Sequence, residues 1–129
     1  MNTDHGHFHW NELMTAKAED AMAFYGATLG WTFDAFPMEA GTYHVCMSNG
    51  QPVGGIMPVT EGDDWGAMAE RWFAYIAVDD IEARLEGVAA AGGEIARPVF
   101  HVPGVGRIAI VQDAIGSLVG WITPEPPQG

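Results

Sequence analysis

The feature that most constrains the fold is an internal repeat. The segment "GQPVGGIMP" beginning at Gly50 lies without gaps on "GSLVGWITP" beginning at Gly116, with five identities in nine positions. Gly50 falls on Gly116, Val53 on Val119, Gly54 on Gly120, Ile56 on Ile122 and Pro58 on Pro124. A second register puts Trp10 on Phe73, Glu12 on Tyr75, Leu13 on Ile76 and Gly30 on Gly93, and rests on pattern more than on identity. Two copies of one unit, each with sheet faces that it cannot bury alone, are expected to pack around a shared cavity.

Residue periodicity yields the same unit twice. "FHWNELMT" (8–15) alternates as a strand does, and "AEDAMAFYGATLG" (18–30) changes to helical spacing, with Ala21, Phe24, Tyr25 and Leu29 on one face and Gly30 as the stop. "WTFDAFP", "TYHVCMSN" and "QPVGGIMPV" read as three further strands, the last two joined at Asn49-Gly50. After an acidic connection the order restarts. "RWFAYIAV" (71–78) is a strand, "DDIEARLEGVAAAGG" a helix opened by an Asp cap and closed by glycine, and "EIARPVFHV", "RIAIVQD" and "SLVGWITP" are strands. The expected organisation is one domain over 1–129: a first module at about 8–59, a linker at 60–70 and a second module at about 71–124. The run "EGDDW" (61–65) reads as solvated linker.

Composition narrows the function classes. A chain of 129 residues with 48% hydrophobic content can bury a core without disulfide or metal staples. Seventeen acidic residues against five basic ones give a formal charge of −12, which repels a phosphate backbone or an anionic bilayer. Nucleic acid and membrane are therefore not expected partners. No stretch approaches the roughly 18 consecutive apolar residues of a spanning helix, and the start "MNTDHGHFHWNELM" lacks the pattern of a secretory signal. A single cysteine, Cys46, suits a reducing compartment. The expected location is the cytoplasm.

The segments "FHWNELMTAKAEDAMAFYGATLGW", "GQPVGGIM", "YIAVDDIEARLEGVAAAGGEI" and "VPGVGRIAIVQDAIGS" together resemble the vicinal oxygen chelate superfamily. This is the group of glyoxalase I, bleomycin-resistance proteins and extradiol dioxygenases, and the likeness is to its glyoxalase-related members of mostly unassigned activity. It covers roughly residues 8–124, with Asp113-Ala114 where Asp-Pro is usual in the last turn. The resemblance implies an α+β fold of two tandem βαβββ modules, forming an eight-stranded, open, barrel-like curved sheet with helices outside. It also implies a divalent metal held by His or Gln on the first strand of each module and Glu on the last, acting as a Lewis acid. Carried over residue by residue, those positions fall on Trp10, Phe73, Gly54 (Gly55 by a one-residue slip) and Gly120. None supplies a ligand atom. The expectation is thus a cavity with no cofactor, walled by Trp10, Phe73 and Tyr75 and suited to a flat or hydrophobic molecule.

Other residues extend this reading. In "HGHFHW" the histidines His5, His7 and His9 alternate with Phe8, Trp10 and Glu12, so they belong to the opposite strand face and read as an exposed edge cluster. Glu12 shares the face of Trp10; a carboxylate among aromatic rings is costly unless bonded, which makes it the candidate general base. His44 and His101 lie on strands of opposite modules, and either face is open to them. Arg107, one of few cations, is a candidate anchor for an anionic group, or else a member of an ordinary ion pair. Cys46 shares the face of His44 and reads as an inert buried thiol rather than a nucleophile. "PGVGR" lacks the Lys-Ser/Thr of a phosphate loop and reads as a turn.

Together these point to a homodimeric protein that binds a small aromatic or hydrophobic ligand, as a binding or resistance-type protein or as a metal-free enzyme using Glu12. The competing expectation is a divalent-metal lyase, isomerase or dioxygenase that recruits Glu12 with His44 or His101 around Zn, Mn, Fe or Ni.

Overall fold

A computed structural model of the chain describes residues 4–38, 41–60, 70–102 and 105–125. Its elements run β1 (Phe8–Thr15), α1 (Ala18–Leu29), β2 (Thr32–Met38), β3 (Gly41–Ser48), β4 (Gln51–Pro58), β5 (Arg71–Ala77), α2 (Ile81–Leu85), β6 (Glu94–Val102), β7 (Gly106–Gln112) and β8 (Leu118–Pro124). The βαβββ order expected from periodicity is present twice. Most of the expected linker, "EGDDW" included, and the first two residues of "PGVGR" lie outside the described residues. Two compact units divide the chain: an amino-terminal one, Trp10–Phe73, and a carboxy-terminal one, Ala74–Gly129 with Met1–His9.

The amino-terminal unit has strand order β2-β3-β4-β1. Its inner pair, β1 and β4, is parallel, while β2, β3 and β4 pair antiparallel. Strand alternation sends Leu13, Cys46 and Ile56 to one face, where Ala18, Ala21, Met22 and Tyr25 of α1 cover them along with Trp31 and Phe33. Phe24 and Leu29, expected on that packed face, are exposed. The stripe that packs falls at i, i+3, i+4 and i+7 from Ala18, and Phe24 is rotated away from it by one residue.

Lys17, at the cap position of α1, makes no side-chain cap, and a residue distant in sequence ties down the entry to the helix instead. The Glu70 carboxylate accepts from Thr15 Oγ1 and from the Ala16 N–H, each at 2.9 Å. These bonds hold Glu70 below its ordinary pKa, the Ala16 bond contributing most. The exit of α1 is a left-handed glycine cap, Gly30 at φ 73°, donating to the Gly26 carbonyl.

One irregularity in this unit changes the repeat. Cys46 stands opposite Gly54 but Met47 stands opposite Pro52, so Val53 is an extra residue bulged out of the β3–β4 ladder. The β7–β8 ladder runs without such a shift. Glu12 consequently pairs with Gly55, and Tyr75 with Gly120, so Gly55 rather than Gly54 is the register counterpart of Gly120. The gapless identity of the two glycine segments hides this bulge.

The carboxy-terminal unit has strand order β5-β8-β7-β6, with β5 and β8 parallel. Val78, Ile81 and Ala109 form a core with Leu85, Val99 and Trp121. α2 is capped by Asp80, whose side chain accepts from the Ala83 N–H at 3.2 Å. The helix stops at Leu85, well short of its expected end; turns continue through Gly92, with Gly87, Ala91 and Gly93 bonding back to carbonyls three to five residues earlier. Three glycines in this stretch remove the helical preference of the alanines between them. Residues ahead of β1 join this unit: the Gly6 N–H donates to the Ala77 carbonyl, and the Ala77 N–H to that of His7.

Removing the one side-chain cap of α2 tests how much this short helix depends on it. Asp80→Ala is expected to lower unfolding free energy by about 1 kcal/mol, read from urea melts followed by circular dichroism.

Candidate functional site

The site is built on the face of the amino-terminal sheet opposite α1. Since Leu13 packs beneath the helix, its neighbour Glu12 is turned to the other face together with Trp10 and Met14. Glu12 is buried, at 8% exposure. Its partner across the parallel ladder is Gly55, and the space above that glycine is filled by the ring of Tyr43, whose hydroxyl a Cβ at position 55 would strike.

Tyr43 joins the other two side chains. Its hydroxyl oxygen accepts from Trp10 Nε1 at 2.9 Å and is also hydrogen-bonded to the Glu12 side chain. An indole N–H only donates and a phenol has one proton, so that proton is left to point at the carboxylate. The chain of bonds runs Trp10 to Tyr43 to Glu12. Burial, and then the neighbouring Glu12 charge, push ionisation of Tyr43 far above its ordinary range; the Trp10 hydrogen bond opposes this without reversing it. Phe36 stands opposite Tyr43 on β2, and Phe36 and Met38 are both exposed, so an apolar rim flanks the buried polar chain.

The carboxy-terminal unit repeats the tyrosine-over-glycine contact in another way. The Tyr75 ring covers its own register partner Gly120, and the neighbours on that face, Ile108, Ile110 and Ile122, are buried. No carboxylate is found at the position equivalent to Glu12, which is Tyr75 itself.

The remaining sequence candidates fall elsewhere. Gly54 faces away from Glu12, where a Cβ would lie 3.1 Å from the Asn11 carbonyl oxygen. Phe73 is buried in the amino-terminal unit. His44 pairs in register with Ile56 and so lies on the α1 face with Cys46. Burial raises the Cys46 thiol from 9.0 to about 11, which disfavours the thiolate a nucleophile needs. His101 is exposed, with Nε2 2.6 Å from Glu125. Arg107 is exposed and paired with Glu82 of α2, on the helix-bearing side of its strand. His5 accepts from the Asp79 N–H, and His7 and His9 are exposed. Tyr43 is the functional candidate that sequence reasoning missed. The signal for it was Gly55: a glycine in mid-strand marks a close approach by something else.

The model of the Glyoxalase/Bleomycin resistance protein/Dioxygenase superfamily matches residues 6–120. The chain belongs to this superfamily. It is 37% identical over 121 residues to a Mycobacterium tuberculosis protein named "Putative glyoxylase CFP32", covering 92% of this chain and 44% of that one. It is 29% identical over 119 residues to the "Anthracycline biosynthesis protein DnrV" of Streptomyces peucetius, covering 84% and 43%. The chain thus spans less than half the length of these relatives. Its fold matches the crystal structure of methylmalonyl-CoA epimerase from Mycobacterium tuberculosis, with a TM-score of 0.68 at 16% identity over 98% of this chain and 93% of that one.

The metal that many superfamily members use does not fit the residues present. The four family positions hold an indole, a phenyl ring and two glycines, and tyrosine rings occupy the space over Gly55 and Gly120. Among the described residues, no three His, Cys, Asp or Glu side chains are grouped to hold an ion.

Two outcomes check this geometry. Gly55→Ala forces the Tyr43 ring aside and is expected to cost about 1–3 kcal/mol in a denaturant melt, whereas Gly50→Ala meets no atom within 4 Å and its cost is the backbone strain of φ 76° alone. Cys46 and Tyr43 keep their protons in the folded chain at a pH where the unfolded chain has lost them. The native state then binds more protons, so stability falls as pH rises above about 9, the Cys46 part being complete near pH 11. Thermal melts from pH 8 to 11 should show this decline, and Cys46→Ala should make it shallower.

Proposed function

We propose that the chain binds a small aromatic or hydrophobic organic ligand on the Trp10–Glu12–Tyr43 face of its amino-terminal unit, and does so without a metal. The observation that carries this reading is the replacement of metal donors by aromatic rings around one buried, hydrogen-bonded carboxylate. Trp10, Tyr43 and Phe36 offer ring faces for stacking, and Glu12 offers a single polar contact to orient the ligand. Tyr75 and the isoleucines beside Gly120 supply an apolar surface of the same character in the other unit. Relatives support the ligand class: one is named for anthracycline biosynthesis, and anthracyclines are flat and polycyclic. A solved structural neighbour, a Streptomyces coelicolor methylmalonyl-CoA epimerase, is in complex with a small molecule, 2-nitronate-propionyl-CoA. In this reading the working assembly is a homodimer.

A second reading makes the same site catalytic, with Glu12 taking a proton from a carbon acid next to a carbonyl. The placement of a buried carboxylate on a face lined by aromatic rings favours it, because a general base must be held in position against its substrate. The alternative of a metal enzyme using Glu12 with His44 or His101 has less support, since His44 lies on the α1 face and His101 pairs with Glu125.

Calorimetric titration with an anthracycline tests the binding reading. Affinity is expected in the micromolar range, unchanged by prior dialysis against chelator, and at least about ten-fold weaker in Trp10→Ala. Unchanged affinity in Trp10→Ala overturns the site. Near-stoichiometric metal in protein purified without chelator, lost in Glu12→Ala, overturns the metal-free reading. Turnover that stops in Glu12→Gln while affinity stays selects the catalytic version.

A further inference from the structure

Two groups meet at the Tyr43 hydroxyl, and with Glu12 ionised their chemistry leaves one arrangement of protons. The Trp10 indole, 2.9 Å away, can only donate, so it occupies a lone pair of the phenol oxygen. Glu12 as a carboxylate can only accept, so the phenol proton is directed to it. The ring that carries this hydroxyl is fixed as well, because it sits in the space left by the missing side chain of Gly55 and opposite Phe36 across the β2–β3 ladder. A hydroxyl is ordinarily a free rotor; this one is held at the oxygen and at the ring.

We propose that Tyr43 is a positioning residue: braced by Trp10 and Gly55, it commits its proton to Glu12 and so fixes the orientation in which the carboxylate meets a ligand. The inference rests on the reading of Glu12 as the polar contact of the binding face. It gives Trp10 two roles, as a stacking surface through its ring and as a brace through its N–H. It also assigns a class to the ligand group at Glu12: a hydrogen-bond donor such as a hydroxyl or an ammonium, because the Tyr43 proton already holds the carboxylate in its acceptor state.

A spectroscopic mutant cycle tests this in the absence of ligand. The Trp10 indole N–H resonance, assigned by its loss in Trp10→Phe, reports on the bond to Tyr43. If Tyr43 links the two residues, Glu12→Gln shifts that resonance in the otherwise native chain and leaves it in place in a Tyr43→Phe background. Equal shifts in both backgrounds, or none in either, overturn the proposal; a merely structural tyrosine gives one of those results. Should Tyr43→Phe fail to fold, uniform 3-fluorotyrosine labelling keeps the ring's shape while strengthening the phenol as a donor. The Trp10 resonance is then expected to move, and to move less in Glu12→Gln; an unmoved resonance overturns the proposal.

The ligand is tested separately. A cycle of Glu12→Gln and Tyr43→Phe on anthracycline affinity should be non-additive, the double variant binding no more weakly than Glu12→Gln alone. Additive losses overturn the positioning role. A linked resonance in a protein that binds no anthracycline counts against the proposed ligand and leaves the hydrogen-bond chain standing.

Discussion

The parallel pairing of β1 with β4 fixes the side of the sheet on which every residue of the site lies. With Leu13 opposite Ile56 and both beneath α1, Glu12 and Gly55 must share the opposite face. A slip of one residue would move Glu12 under the helix, into the packed layer of Ala18, Ala21 and Met22, where burying a carboxylate is costly. The apolar packing of α1 thus enforces the polar geometry on the other face. The Tyr43 bond to Glu12 then makes that geometry tolerable, by giving a buried carboxylate a donor.

Much of the fold was legible because its signals are local. Strand alternation in "FHWNELMT", the glycine stop at Gly30 and the duplicated glycine segments each report on their own neighbourhood, and each appears in the structure. The α2 region misled because a cap and a run of alanines mark where a helix starts, whereas Gly87, Gly92 and Gly93 decide how soon it yields to turns. The bulge at Val53 was invisible for a different reason. Identity between "GQPVGGIMP" and "GSLVGWITP" measures which residues recur, while register is set by ladder partners on other strands.

The candidate site was legible to the same extent. The face shared by Trp10 and Glu12 follows from a spacing of two, and burial of Glu12 agrees with it. The positions of His44, His101 and Arg107 depend on which strand pairs with which, and the sequence does not state that. Arg107 meets Glu82 because α2 lies over β7, and His44 lies beneath α1 because Cys46 and Ile56 do. Tyr43 escaped notice because its significance is relational: an ordinary strand tyrosine becomes part of the site only when Gly55, a residue on the next strand, leaves room for it.

The two units solve the same packing problem with one consequential difference. Each has a glycine on its last strand opposite a first-strand residue, and each fills the glycine's space with a tyrosine ring. In the carboxy-terminal unit the ring comes from the first strand itself, Tyr75, so the position opposite Gly120 is used up by packing. In the amino-terminal unit the ring comes from β3, Tyr43, which frees the first-strand position for Glu12. A repeat with identical halves would have offered two aromatic faces and no charge. Moving the tyrosine from the first strand to the third places a carboxylate in one unit alone, together with the phenol that satisfies it. The polarity of the proposed binding face follows from that exchange, because one ring and one carboxylate cannot occupy the same strand position.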